Sequence, residues 1–597
     1  MNILPLMAGG ALFALAALAR MFFLARGRAG WAMYLANVFW ETFPKKLGIG
    51  RFGLEAASAA LGLALLAWGG LPWIAVEALG AALVALEFAN RRRERRLVAG
   101  PVPDGLILTV EAPFVSRWPR GDLGTLWTGV PFDVELVVGN PAPALPGRRV
   151  KVRLEAPEHW RQEGAAGHAP EPLAAGSVAR FRWTLRPAAS TGSGALAIIV
   201  EEEGRPVRRL EMTHGGCRSA AEAPPVRAGI ARYPGGRRSA FLWRGDMDLY
   251  DTLTRQSIAG LETTLGLAAR YAFPQTMCLS TRLSFDEEAA RAWAAHDGRD
   301  HGAAEIPRFI QWLRGNVDLR HACPYPAQGA GKPFVMELGN HGHLHYDTAA
   351  AAAAENGWTS HARMGAGRYP WVGADASSFG EQRDNILEAA RWCRRLLDFV
   401  PRSWAKPGRC NDADTARAAE TAGCEVLSGS DIRARDNVLF QPPPHHPGGT
   451  DAVELTSRYP PDPQHVHHHA MLRFWMHRAR RLGRPMVFMC HQHMRQWEGP
   501  ACARFTEHVI RSALTGFHGE FFIDTLFGVG KYWREVLSPQ TRRVTVALAG
   551  ARLVVENGSD ADFERVPVDV ERGDGRRATV LVSVRSGQKV EVDLQEK

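Results

Sequence analysis

The chain opens with two long apolar runs, at residues 3–24 and 54–88. The first is interrupted only by Arg20 and is long enough to span a bilayer as one helix of about 20 residues. The second is broken at 69–72 by Gly-Gly-Leu-Pro, a turn signal that predicts a tight helical hairpin. Residues 1–100 are therefore predicted to form a transmembrane anchor of two or three helices.

Alternating apolar and polar positions predict β-structure on either side of a long middle block. The segments 132–138 and 150–154 alternate clearly, and an immunoglobulin-like sandwich over 101–220 is the simplest account of them. Residues 540–597 repeat this style and predict a second, small β-domain. Its short strands, separated by Gly, Asn and Asp turns, are predicted at 544–548, 551–555 and 579–584.

The middle block, residues 235–537, alternates strand-like and helix-like segments. The strand-like run 241–243 precedes a helix-like segment at 252–271, and further strand-like runs lie at 334–338 and 485–489. This alternation predicts an α/β fold, either a barrel or an open sheet. In such barrels the chemistry collects at the C-terminal ends of the strands.

The basic residues of the N-terminal region suggest an orientation in a membrane. The first hundred residues hold eleven Arg or Lys against five Asp or Glu, clustered at 26–51 and at 91–96. A hairpin puts both clusters on one side, which the positive-inside rule makes the cytoplasm. If the run at 54–88 crossed the membrane only once, the two basic clusters would lie on opposite sides and one of them would violate this rule. We therefore expect an inner (cytoplasmic) membrane protein whose soluble part faces the cytoplasm.

The composition and charge of the chain restrict the kinds of binding partner that we expect. Hydrophobic residues make up 46% of the chain and charged residues 22%, which is typical of globular proteins, and 597 residues predict three or four structural units. The basic anchor favours membrane lipid as a partner, and no nucleic-acid-binding motif is present. Eight scattered cysteines without a CxxC pair indicate reduced thiols, which fits the cytoplasm.

Four polar motifs follow strand-like runs or turn signals. They are 244–248 (RGDMD), 339–345 (GNHGHLH), 406–409 (KPGR) together with 428–431 (SGSD), and 490–493 (CHQH). Each alone is a weak signal, because an acidic pair after a strand is more often a turn or a helix cap. Their order is more informative: acid pair, histidine cluster, basic residue, acid, and a late histidine.

This series resembles the polysaccharide deacetylase family (NodB homology, carbohydrate esterase family 4) over about residues 238–535. The D-x-D form at 246–248, Gly-Arg at 408–409, Ser-Asp at 430–431 and a late strand ending in His are similar to its lipid-linked aminosugar deformylase branch. The resemblance implies a distorted (β/α) barrel. It also implies a metal-dependent hydrolase that removes a formyl or acetyl group from the nitrogen of an aminosugar.

The resemblance implies a metal site. His341 and His345 match the H-x-x-x-H metal pair, and Asp248 is the third ligand to Zn²⁺ or another divalent metal. The commoner family motif has adjacent aspartates, so the inserted residue here leaves open an exchange of roles between Asp246 and Asp248. A metal pair formed by His343 and His345 is a second open alternative.

The resemblance also implies acid–base residues. Asp246 matches the general base, and Arg409 the residue that pairs with it and keeps it ionised. His491 matches the general acid that protonates the leaving amine, and Asp431 its orienting partner.

Three further alternatives remain for these motifs. Lys406 could take the role given to Arg409, and His493 competes with His491 in the same way. The histidine-rich tract at 465–469 is either a second metal site or a polar loop beside the substrate cleft.

We therefore expect a membrane-anchored N-deacylase that acts on an aminosugar or a lipid-linked glycan, with its catalytic domain facing the cytoplasm. One alternative is an extracytoplasmic polysaccharide or peptidoglycan deacetylase. Another is a catalytically degenerate protein that only binds glycan or assembles partners.

Overall fold

The computed structural model describes thirteen segments of the chain between residues 105 and 595. They are 105–117, 121–141, 147–164, 171–188, 191–247, 258–297, 303–344, 378–407, 413–429, 443–458, 469–490, 500–514 and 519–595. No helix within these segments is long and apolar enough to cross a membrane. The apolar runs at 3–24 and 54–88 lie outside the described residues.

The first unit is a β-sandwich. Its strands, and the one that follows it, are β1 (Ile107–Glu111), β2 (Gly121–Asp122), β3 (Leu126–Trp127), β4 (Phe132–Gly139), β5 (Arg148–Glu155), β6 (Trp160–Glu163), β7 (Glu171–Leu173), β8 (Val178–Pro187), β9 (Gly194–Glu202), β10 (Arg205–His214), β11 (Cys217–Arg218) and β12 (Pro225–Ile230). One sheet has the order β1-β4-β8-β6 and the other β2-β10-β9-β5-β7. Inward residues such as Val152, Trp183 and Ile198 form the core between them. The strands predicted at 132–138 and 150–154 are β4 and β5.

The middle block is built on a parallel sheet. Its strands are β13 (Ser239–Met247), β14 (Gln275–Leu279), β15 (Val317–Leu319), β16 (Phe334–Asn340), β17 (Ser403–Ala405), β18 (Val426–Ser428), β19 (Val453–Glu454), β20 (Ser457–Arg458), β21 (Met486–Cys490) and β22 (Phe521–Ile523). The order is β19-β18-β17-β16-β14-β13-β21-β20, with β15 beside β16 and β22 beside β13. The predicted α/β fold is confirmed.

One short segment joins the two edges of this sheet. Val453 pairs with β18 at one edge, and Ser457 pairs with β21 at the other. Because only three residues separate these two positions, the run 453–458 closes the sheet into a ring of parallel strands. The polar residues that follow the strands are therefore gathered around one rim.

Helices pack around the outside of the ring, except α9, which fills one end of it. They are α1 (Ile258–Tyr271), α2 (Thr281–Phe285), α3 (Glu287–Asp297), α4 (Glu305–Asn316), α5 (Phe379–Leu397), α6 (Ala413–Thr421), α7 (His469–Leu482), α8 (Pro500–Leu514) and α9 (Leu526–Tyr532). Along β13, Phe241 and Trp243 pack in the outer core with residues of α1, α7 and α8. The alternate residues Ala240 and Leu242 lie in a different cluster, inside the ring. This alternation is expected for a strand with both faces buried.

Helix α9 plugs the N-terminal end of the ring. All seven of its residues are buried, and Leu526 and Val529 share the inner cluster with Ala240 and Leu242. The helix begins at Thr525, whose hydroxyl accepts a hydrogen bond from the Gly528 N–H at 3.0 Å. Gly530 allows close packing, because a Cβ atom there would lie 2.4 and 2.5 Å from the methyl carbons of Val426.

The third unit is a C-terminal β-module that includes an earlier strand. Its strands are β23 (Val544–Ala549), β24 (Arg552–Asn557), β25 (Phe563–Arg572), β26 (Arg577–Val584) and β27 (Lys589–Asp593), and they form the sheets β12-β25-β26 and β23-β24-β27. Strand β12 is antiparallel to β25. The ring of Tyr532 packs 5.7 Å from that of Phe563, so the module shares its core with the plug. The unit predicted at 540–597 thus extends back to 225–230.

Buried arginines join the three units. Arg232, which precedes β13, donates to the Phe114 carbonyl of the sandwich and pairs with Asp569 of the C-terminal module. Arg117 of the sandwich donates to the Gly519 carbonyl beside β22 at 2.9 Å. Desolvation by burial lowers the pKa of Arg117 to about 9. The carbonyl oxygens and carboxylates compensate for removing these cations from water.

The plug makes a testable prediction. We expect Gly530→Ala to destabilise the protein by about 1–3 kcal/mol, because the added methyl group has no room against Val426. Alanine is intrinsically the better helix former, so a stabilising effect would contradict the close packing. Urea unfolding followed by circular dichroism measures the difference.

Gly266 in α1 is the matched control. A Cβ atom there would meet nothing within 4 Å, so Gly266→Ala should stabilise the protein by up to about 1 kcal/mol.

Candidate active site

The register of the parallel strands brings four residues to the C-terminal rim of the ring. Asp246 on β13 is level with Cys278 on β14, and Cys278 is level with Gly339 on β16. His341 directly follows β16. Ala405 and Ser428, the last residues of β17 and β18, are register partners. Asp246 and His341 therefore lie at the same end of the barrel.

Arg244 and Asp246 form a buried ion pair on the inner face of β13. The Arg244 Nη2 atom lies 2.5 Å from the Asp246 Oδ2 atom, and the two residues are only 1% and 4% exposed. The Nη1 atom of Arg244 donates to the Ser428 hydroxyl at 2.7 Å and to the Ser428 carbonyl at 3.2 Å. The guanidinium thus crosses the interior from β13 to β18 and fixes the carboxylate in place.

Sequence reasoning missed Arg244. It assigned Arg409 as the partner of Asp246, and Arg409 lies outside the described residues. In the described part of the chain Arg244 makes this pair. The signal was present in the sequence, because positions two apart on a strand share a face, and an arginine buried in a mostly apolar strand needs a partner of opposite charge.

The imidazole of His341 is held in one tautomer. Its Nδ1 atom lies 2.6 Å from the Ala405 carbonyl oxygen, and the residue is 2% exposed. A carbonyl can only accept, so Nδ1 carries the hydrogen and the lone pair of the neutral ring is on Nε2. A ring nitrogen tied to a backbone carbonyl is the usual arrangement of a metal-binding histidine.

Side chains around His341 fix its backbone. The amide of Asn340 donates to the Ile386 carbonyl of α5 at 2.9 Å, and its oxygen accepts from the Gly342 N–H at 2.8 Å. Gly342 has φ of 88°, a left-handed conformation that favours glycine, so the chain turns sharply after His341.

His343 is used in packing. Its ring stacks on Trp392 of α5 with 5.6 Å between centroids, and its Nδ1 atom lies 3.2 Å from the Thr281 hydroxyl. Burial lowers the pKa of His343, which keeps the ring neutral. These contacts place the ring between α2 and α5 and favour His341 over His343 as the ligand.

Lys406 is also buried. Its Nζ atom donates to the Thr415 hydroxyl of α6 at 2.9 Å. This contact directs the ammonium group toward the outer helix α6, whereas Arg244 forms an ion pair with Asp246.

The structure thus describes two of the seven predicted site residues, Asp246 and His341. The others lie outside the described residues: Asp248, His345, Arg409, Asp431 and His491. The alternative His493 and residues 465–468 of the histidine-rich tract also lie outside them, and His469 is the first residue of α7. Within the described segments no group of three or more His, Cys, Asp or Glu residues could hold a metal ion.

A polar network that sequence reasoning also missed lies between the rim and the plug. Glu337, in the middle of β16, accepts from the Thr276 hydroxyl at 2.8 Å, from the Phe527 N–H at 3.0 Å and from the Ser403 hydroxyl. Burial raises the pKa of Glu337 to about 7, against the effect of these three donors.

Asp524 is a second buried carboxyl group at the start of the plug. It accepts from the N–H groups of Cys323 and Thr525 at 2.8 and 2.7 Å. Burial raises the pKa of Asp524 to about 7 as well. Both carboxyl groups therefore tend to hold a proton near neutral pH.

Comparison with known proteins gives likenesses of fold. No protein-family profile and no curated protein sequence matches the chain. One similar solved structure, described as a polysaccharide deacetylase from Mycobacterium smegmatis, has 14% identity and a TM-score of 0.33, with 52% of this chain and 95% of that chain covered.

Two others belong to carbohydrate esterase family 4. An esterase from Streptomyces lividans has 10% identity and a TM-score of 0.21, with 48% of this chain and 90% of that chain covered. A pseudoenzyme from Bacillus anthracis has 12% identity and a TM-score of 0.24, with 53% and 71% covered.

The buried ion pair makes a second prediction. We expect Arg244→Met to lower the free energy of unfolding by about 3–5 kcal/mol, because Asp246 would be left buried without its cation. Adding Asp246→Asn should recover part of this loss. Urea unfolding of the single and double variants measures both effects.

An exposed pair serves as the control. Arg182 is 63% exposed and pairs with Asp133 on the sandwich surface, so Arg182→Met should cost less than about 1 kcal/mol. Equal losses for Arg182→Met and Arg244→Met would contradict the importance of the buried pair.

Glu337 makes a third prediction, on pH. A carboxyl group whose folded pKa lies above its unfolded value contributes stability that is fully present below the unfolded pKa. That stability is lost as pH rises through the folded pKa. For Glu337 the pKa rises from 4.5 in the unfolded chain to about 7 in the folded protein, so the stability lost as pH rises is up to about 3 kcal/mol. Glu337→Gln should therefore gain stability relative to wild type between pH 4.5 and pH 8, measured by urea unfolding across pH.

Glu381 provides a control of opposite sign. Hydrogen bonds from the backbone and hydroxyl of Ser378 lower the pKa of this exposed carboxylate. It contributes stability above its unfolded pKa, so Glu381→Gln should not gain stability as pH rises. The same pH slope for wild type and Glu337→Gln would refute the role given to Glu337.

Proposed function

We propose that residues 235–537 form a metal-dependent hydrolase that removes an N-acyl group, formyl or acetyl, from an aminosugar. The observation that carries this proposal is the pairing of two prepared side chains at one rim of a parallel barrel. Asp246 is held by Arg244, and His341 is held by the Ala405 carbonyl. A fixed carboxylate and a fixed imidazole are the groups that metal-assisted amide hydrolysis requires.

His341 is suited to bind Zn²⁺ or a similar divalent metal through Nε2, since Nδ1 is occupied by the Ala405 carbonyl. In this proposal Asp248 and His345 complete the ligand set. When bound, the metal supplies Lewis acidity that polarises an amide carbonyl and lowers the pKa of water toward 7.

Asp246 acts as the general base in this proposal. Its ion pair with Arg244 favours the carboxylate over the carboxylic acid, and the second contact of Arg244 with Ser428 restrains the carboxylate's position. A base that is ionised and oriented before substrate arrives can accept the proton of the attacking water without reorganisation.

The amine cannot leave as an anion, so an acid must protonate its nitrogen. We assign this step to His491, which directly follows the last residue of β21, Cys490. Asp431 is proposed to orient it, and Arg409 to add positive charge near the base.

The predicted anchor at 1–100 favours a substrate at the membrane surface. A lipid-linked aminosugar would be confined to the same surface as the anchored barrel, which raises the effective concentration of one for the other. We therefore propose a lipid-linked glycan as substrate and the cytoplasmic face of the inner membrane as the location.

The proposed function predicts the effect of two variants. Asp246→Asn and His341→Gln should each lower kcat/KM for N-acyl aminosugar hydrolysis by at least about 100-fold, since each removes a group that acts on the reacting atoms. His341→Gln should also reduce bound metal in the full chain. Amine release from N-formyl and N-acetyl sugars, with metal content by plasma mass spectrometry, measures both effects.

His343→Gln is the matched control, because it replaces the neighbouring histidine that packs on Trp392. It should keep both metal and hydrolysis. A wild-type protein that neither binds metal nor releases amine would support the degenerate, glycan-binding alternative. A reporter fused after Lys597 that is active only outside the cytoplasm would support the polysaccharide or peptidoglycan deacetylase.

A further inference from the structure

Strand β17, beside the rim that holds Asp246 and His341, pairs much more extensively with one neighbouring strand than with the other. Strand β17 is three residues long, and all three pair in register with β18. On its other side, the described ladder between β17 and β16 consists of a single register pair, Asn340 with Trp404. One backbone pair gives little resistance to sliding, so side chains are needed to fix the position of β17 along β16.

Two side-chain contacts connect these strands on the inner face. The lower contact is the hydrogen bond from the Ser403 hydroxyl to Glu337. The upper contact is the hydrogen bond from His341 Nδ1 to the Ala405 carbonyl, at 2.6 Å. Glu337 lies on β16, and His341 comes four residues later, directly after the strand. Ser403 and Ala405 are two residues apart on β17, so the two contacts lie at successive levels along the strands.

The space between the two contacts is filled by backbone. A Cβ atom at Gly339 would lie 2.6 Å from the Cys278 sulfur and 3.3 Å from the Ser403 hydroxyl oxygen. The hydroxyl of Ser403 is therefore confined between Gly339 and the carboxyl group of Glu337. A shift of β17 along β16 would break the Glu337 contact and move the Ala405 carbonyl away from His341.

The plug fixes Glu337 in turn. The Phe527 N–H donates to Glu337 at 3.0 Å, and the Leu526 N–H donates to the Thr276 hydroxyl, which itself donates to Glu337. The start of α9 thus restrains the Glu337 carboxyl group by a backbone hydrogen bond, and Ser403 restrains it by a hydrogen bond from the neighbouring strand β17.

We propose that Glu337 is a positioning residue that sets the register of β17 against β16 and thereby the tautomer of His341. The inference rests on the proposed function in one respect, which is that metal binding requires the His341 lone pair on Nε2. Glu337 itself contacts neither metal nor substrate. It acts through Ser403, β17 and the Ala405 carbonyl.

The tautomer of His341 can be measured without metal or substrate. Long-range ¹H–¹⁵N spectra of the metal-free full chain, labelled at histidine and with the His341 signal assigned by His341→Gln, report which ring nitrogen carries the proton. Wild type should show the proton on Nδ1. Glu337→Ala and Ser403→Ala should each give a mixture of tautomers, because either change removes the lower contact.

Glu337→Gln should restore the wild-type spectrum, since the amide can keep the contacts of the carboxyl group while lacking its charge. Glu520→Gln is the matched control: Glu520 is also buried but pairs with Arg480, away from β17. It should leave the His341 signal unchanged. A wild-type tautomer in both Glu337→Ala and Ser403→Ala would overturn the proposal, and Ser403→Ala alone decides it if Glu337→Ala does not fold.

Affinity for Co²⁺ provides the second measurement. Glu337→Ala should bind Co²⁺ about tenfold more weakly than wild type, as is typical when support of a ligand histidine is lost, and Glu337→Gln should lie within about twofold. Absence of Co²⁺ binding in wild type would refute the proposed function, while the tautomer spectra would still decide the role of Glu337. An unchanged Co²⁺ affinity in Glu337→Ala would contradict the positioning role of Glu337.

Discussion

The guanidinium of Arg244 crosses the interior of the barrel, and the arrangement of the rim depends on how its charge is compensated. A cation that is almost wholly buried must keep its partners, since an uncompensated charge inside a protein costs several kcal/mol. Arg244 satisfies this requirement with Asp246 on its own strand and Ser428 on β18. Ser428 comes within reach of Arg244 only when the sheet is curved into a ring, so closure of the barrel restrains the guanidinium and, through it, the Asp246 carboxylate.

Below the rim, the buried carboxyl group of Glu337 also keeps its polar partners, which here are uncharged hydrogen-bond donors. Thr276 and Ser403 donate to Glu337, and the plug helix contributes backbone N–H groups. Strands β13 and β16 therefore each direct to the interior a residue that fixes the barrel and a residue that serves the rim. For β13 these are Arg244 and Asp246, and for β16 they are Glu337 and His341, which directly follows the strand.

Sequence reasoning located Asp246 and His341 because each comes at the end of an apolar strand, where a parallel fold concentrates chemistry. It missed Arg244 as the partner of Asp246, although the two residues share one face of β13. It also missed the contact of Arg244 with Ser428, because a contact across the ring depends on closure by 453–458, and no local pattern marks that closure. It missed Glu337, because one acidic residue within an apolar run carries no sign of its donors. It also left 225–230 unassigned, since that strand is recognised only by its pairing with β25.

The pairing of β12 with β25 has a consequence for synthesis on the ribosome. Domains usually fold as they emerge, starting from the N-terminus. Here β13 leaves the ribosome well before α9 (526–532), which fills the lower opening of the ring, and before β25 (563–572), which pairs with β12. Until those two segments have been synthesised, the inner apolar surface that α9 buries stays open and β12 lacks its partner strand.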